Sequence, residues 1–148
     1  MRYAASSPVA ACCERFPGRH LSPADGRLYL VKLAVEEPAL HLTHQRTLDA
    51  LGLDDRINTG RVDLPGPNGD PLLDVCQGLV DAVHDWWDGT PPALVYRTRT
   101  VPSARSMAFG ATTRTEVTQV RTLREAHHLI AILVARHGFV VPSTWLGP

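Results

Sequence analysis

The chain has 148 residues, 44% hydrophobic and 20% charged, with a formal net charge of zero. That length supports one domain burying about two-thirds of its unfolded surface, and the balanced charge excludes a general attraction to nucleic acid or membranes. Three cysteines, two of them adjacent at Cys12 and Cys13, exclude a complete disulfide framework, and the longest apolar run, Leu129 to Ala135, is far too short to cross a bilayer. A reduced, cytoplasmic protein is expected.

In chain order, Ser7-Pro8 is a helix-start signal: an oxygen to cap free amides, then a ring that fixes φ where no amide is needed. Val9, Cys13 and Phe16 follow at i, i+4 and i+7, predicting a short helix with one buried face, ended by Pro17-Gly18. Glu14 falls at the rim of that face, partly screened from water. Leu28 to Leu33 is rich in β-formers and reads as a strand buried on both faces. Thr43 is placed to cap a helix running to Leu51, with Gly52 as its stop.

Asn58 to Gly69 reads as a loop long enough for an insertion or lid. Asp70-Pro71 opens the clearest helix, with Leu72, Val75, Cys76, Leu79, Val83 and Trp86 at helical spacing, and Trp86-Trp87 at its end reads as a core plug, with a partner-binding patch as the alternative. The segment Ala93 to Arg99 alternates as a strand, with Leu94, Tyr96 and Thr98 on one face and Val95, Arg97 and Arg99 on the other. Met107 to Phe109 and Glu116 to Arg121 are further strands. A helix from Thr122 to Arg136 stops at Gly138, and Phe139-Val140-Val141 suggests a last strand. Interleaved short elements predict an α+β domain, a small mixed β-sheet with flanking helices.

Two segments carry a resemblance. Tyr3-Ala4-Ala5, leading into an Ala-rich helix that bears Glu14, and Leu94-Val95-Tyr96-Arg97-Thr98-Arg99 together resemble the RES-domain family. That family is named for an Arg, a Glu and a Ser and includes bacterial toxins that degrade NAD. The second segment is similar to its Tyr-x-Ser-Arg strand, and Leu48 to Ile57 reads like its middle section. The resemblance spans nearly all of residues 1–148 and implies a single domain related to ADP-ribosyltransferases. It implies NAD as the substrate, with no other cofactor, and a helix-turn-helix antitoxin of Xre type as partner. Homo-oligomerisation stays open.

The resemblance also implies roles. Cleaving the nicotinamide–ribose bond passes through an oxocarbenium-like state, which negative charge near the sugar stabilises; Glu14 would supply it. Thr98 stands where the family has Ser and keeps a hydroxyl for the substrate. Tyr3 would stack on the nicotinamide ring, and Arg99 follows Thr98 as an Arg does in the family. Two features depart from the pattern. Thr98 replaces Ser, and the family's first signature Arg would precede Met1, so the resemblance implies that the N-terminal strand region carrying it is missing or that a different Arg substitutes; Arg2 is too close to Tyr3 to be its equivalent. A catalytically inactive RES-fold interaction domain is the rival reading, and transfer of ADP-ribose onto a macromolecule is a third.

Other patterns point nowhere in particular. His41 and His44 straddle a strand-to-helix boundary with no third ligand, Glu125-x-x-His128 is half of a di-iron pattern, and neither a GxGxxG nor a P-loop is present. No metal is expected.

Overall fold

The structure is a computed structural model that describes residues 2–53, 82–83, 85–87, 93–98, 100–110 and 113–146. Its main sheet has four strands: β1 (Arg2–Ala5), β3 (Ala39–His41), β4 (Ala93–Arg97) and β5 (Arg105–Phe109), in the order β1-β5-β4-β3. β5 runs antiparallel to both β1 and β4, whereas β3 and β4 are parallel, so the sheet is mixed. Ala108 of β5 lies opposite Tyr3 on one side and Leu94 on the other. β2 (Tyr29–Val35) and β6 (Thr115–Thr122) form a separate antiparallel ribbon with a register shift between Lys32 and Leu33.

Among the described residues, helices α1 (Pro8–Arg15), α2 (Gln45–Leu51) and α3 (His127–His137) accompany these strands. The start of α1 follows the sequence signal, with Ser7 Oγ accepting from the Ala10 N–H at 3.1 Å and Pro8 in the first turn. Gly52 and Gly138 end α2 and α3 in left-handed conformations, at φ of 64° and 66°. Only a residue without Cβ adopts these without strain. The mixed α+β class is therefore shown.

The apolar side chains gather in two places. Cys12 and Cys13 of α1 pack with Leu21, Leu123, Leu129, Ile130, Leu133, Phe139 and Trp145, and Val101 packs against the same group. Each fully buried Leu, Ile or Phe there contributes roughly 1.5–3 kcal/mol of transfer free energy. Leu42, Leu48, Val83, Leu94 and Ala108 form the second group, on the α2 side of the sheet.

Several expectations need correction. β2 is not buried on both faces: Tyr29 is 70% exposed and Val31 44%, because among the described residues the strand's only sheet partner is β6. Thr43 does not cap α2; His44 holds the cap position without a side-chain bond, and Thr43 Oγ1 is buried with no partner. α3 begins at His127 rather than Thr122, because the Thr122 N–H donates to Glu125 Oε2 and closes a turn before the helix. The last strand reduces to one parallel bridge, His20 to Val140.

Trp86 and Trp87 are exposed, not plugged into the core, although Val83 of the same helical stretch is buried. The rest of the helix expected from Pro71, with Cys76, and the Asn58–Gly69 loop lie outside the described residues. No helix among the described residues is long and apolar enough to cross a membrane.

Candidate functional site

Glu14 emerges on the exposed side of α1, more open to water than a rim position implies, while its neighbours Cys12 and Cys13 anchor the helix in the core. Its Oε1 accepts a hydrogen bond from Thr100 Oγ1 at 3.0 Å. This contact joins Glu14 to the residue just beyond the second segment that the sequence singles out, 86 positions further along the chain.

The turn after β4 makes the contact possible. Thr98 is buried, and its hydroxyl both donates to the Val101 carbonyl at 2.7 Å and accepts from the Val101 N–H at 3.0 Å. The Thr98 N–H donates to the Ala104 carbonyl at 3.3 Å, and the Ala104 N–H to the Val101 carbonyl at 2.8 Å. Such side-chain bonds offer the backbone an alternative to the sheet ladder, which is why the strand ends at Arg97 and not Arg99. Val101 then drops into the α1 core, leaving Thr100 facing Glu14.

The hydroxyl at Glu14 is therefore that of Thr100, and the Thr98 hydroxyl is spent on the turn. Nothing in the sequence flagged Thr100. Its signal was present only as a hydroxyl one alternation beyond Thr98, and the turn had to be known before it could be read. Arg99 lies outside the described residues. Tyr3 is 66% exposed on β1 and has no hydrogen-bond or ring partner among the described residues.

Two arginines are fully engaged elsewhere. Arg2 donates to the Gly110 and Thr113 carbonyls and to Thr115 Oγ1, tying β1 to the link between β5 and β6, and it lies over the Phe109 ring. Arg19 takes a left-handed φ of 55°, donates to Cys13 Sγ and covers the Phe139 ring. Burial, and then the neighbouring Cys13, push the Cys12 thiol up to about 11, so it stays protonated near neutrality and is a poor nucleophile.

A cavity of about 560 Å³ opens at the foot of the ribbon, lined by Gly26, Arg27, Tyr29, Thr122, Arg124, Glu125 and His127. Glu14, Tyr3 and Thr98 are not among its walls, so this hollow and the contact at Glu14 are different places. The Glu125 carboxyl there is held below the usual range, chiefly by the Thr122 N–H and then by its hydroxyl. The His41 and His44 rings stack with centroids 5.1 Å apart and planes within 10° of parallel.

No family model matches this chain, and no curated protein or solved structure matches it either.

Proposed function

We propose that this protein, as a RES-type domain, degrades NAD by splitting the bond between nicotinamide and ribose, acting as the toxin of a toxin–antitoxin pair. The observation that supports this reading is the 3.0 Å bond from Thr100 to Glu14, which brings the residue next after Leu94–Arg99 against the helix of the first resembling segment. A carboxylate held by a neighbouring hydroxyl has a fixed orientation, and fixed negative charge stabilises an oxocarbenium-like ribose at least cost. Nicotinamide leaves with the electron pair of the broken bond. Water then attacks the ribose carbon, giving ADP-ribose and releasing a proton; with phosphate as acceptor, the product is ADP-ribose phosphorylated at that carbon. In this scheme an Xre-type helix-turn-helix antitoxin is the partner that blocks the site, and Tyr3, which shares the sheet face of Ala108 and Leu94, is given no part.

A specific observation favours the rival, an inactive RES-fold interaction domain: the hydroxyl at the family's Ser position is consumed within its own turn. Incubating the purified chain with NAD and following free nicotinamide, with and without phosphate, separates the two. Release that disappears in Glu14→Gln supports the enzyme. Absence of release from the parent chain overturns it and leaves the interaction domain.

A further inference from the structure

Arg97 of β4 and Arg105 of β5 are direct cross-strand partners, and both are exposed. The ladder determines what kind of pair they form. The Arg105 N–H donates to Ser6 Oγ at 2.9 Å, and the Arg105 carbonyl accepts from the Ser6 N–H at 2.7 Å. Both main-chain groups of Arg105 thus turn toward Ser6 and away from β4. Arg97 and Arg105 are therefore a non-hydrogen-bonded pair, the type whose Cα atoms approach to about 4.5 Å and whose side chains leave the sheet closest together.

Two like charges opposed in this way destabilise a sheet. Neither guanidinium has a hydrogen-bond or ion-pair partner among the described residues, in contrast to Arg2 and Arg19. An anion bound between them turns the repulsion into attraction, and two planar forks on one face suit phosphate oxygens better than a single carboxylate. The pair also has a defined place. Arg97 and Arg105 bracket the turn of residues 98–104, whose Thr100 meets Glu14.

We infer that Arg97 and Arg105 form a two-pronged clamp for the phosphate groups of the ligand whose ribose lies at Glu14. The location of that ribose rests on the function proposed above; the clamp's chemistry, recognition of a diphosphate, does not. The pair binds and orients and takes no part in bond breaking.

Calorimetric titration of the full chain with inorganic pyrophosphate tests the clamp. Arg97→Gln and Arg105→Gln should each weaken binding by about tenfold or more, as expected for loss of a charge-assisted contact. Arg105→Lys, which keeps the charge and loses the fork, should fall between. The ligand-free melting temperature of the double variant should match or exceed the parent's, since a repulsion is removed; a merely structural pair would lower it. Failure of the parent to bind, or a double variant that binds like the parent, overturns the clamp. Pyrophosphate binding that needs the pair, without nicotinamide release, would overturn the NAD reading and leave the clamp standing. Nicotinamide release with an unchanged KM in the double variant would do the reverse.

Discussion

The indole of Trp145 occupies the space where a side chain on Gly26 would stand: a Cβ at that position meets Trp145 Cζ2 at 2.8 Å and Arg124 Cβ at 3.4 Å. Both residues are buried, and Trp145 belongs to the core that seats α1. A methyl group here must push a rigid ring inside a packed cluster. Gly26→Ala should therefore cost about 1–3 kcal/mol, the usual range for overpacking. The denaturation midpoint checks it, and a midpoint equal to the parent's would mean that Trp145 moves aside freely.

Glu14 is exposed, and the only bond recorded for its carboxylate among the described residues comes from Thr100. Gln keeps an oxygen that accepts the same bond. Glu14→Gln should leave stability within about 0.5 kcal/mol of the parent, as for surface substitutions generally, and should abolish nicotinamide release. Thr100→Val, which removes the bond but leaves the charge, should lower the rate less. Equal rates for Glu14→Gln and the parent would remove this carboxylate from the mechanism.

Thr98 separates a packing role from a chemical one. Thr98→Ser keeps both bonds to Val101 and should retain the fold and any NAD turnover. Thr98→Val removes both; the Val101 carbonyl keeps its bond from the Ala104 N–H, but the Val101 N–H is left to find another partner, a loss of about 1–3 kcal/mol. Because the turn delivers Thr100 to Glu14, turnover should fall along with stability. A Val variant as stable as the parent would show that the turn does not depend on this hydroxyl.

What the sequence made legible was local. Ser7-Pro8 announces α1, Gly52 and Gly138 mark helix ends, and the segments Met107 to Phe109 and Glu116 to Arg121 fall within β5 and β6, because caps and left-handed glycines depend on a few neighbouring residues. What was not legible depended on distant partners. The exposure of Tyr29 and Val31 follows from β2 pairing with β6 alone, and the opposition of Arg97 to Arg105 follows from register. The resemblance gives Thr98 a hydroxyl for the substrate, whereas in the structure that hydroxyl is bonded to Val101 in the next turn, where β4 ends, and Thr100 is the residue that meets Glu14. The left-handed φ of Arg19 carries no sequence signal at all, because Arg is not a residue that favours it.

Cys12 gives the fold a pH dependence on the alkaline side. Its thiol is raised from 9.0 to about 11, first by burial and second by the adjacent Cys13. The folded state therefore holds this proton more tightly than the unfolded chain does. The resulting stabilisation is fully present below pH 9 and is lost as pH rises through about 11, where the folded thiol also ionises. Across that window the unfolded chain binds fewer protons, so stability falls by up to about 1.4 kcal/mol per pH unit. Urea unfolding at successive pH values from 7 to beyond 10 should give a level ΔG followed by a decline, and Cys12→Ala should flatten the decline while lowering the plateau through lost packing. Thiol reagents at neutral pH should leave Cys12 unmodified until urea unfolds the chain. Rapid labelling of Cys12 under native conditions, or an identical decline in the Ala variant, would show that its burial does not control the alkaline limb.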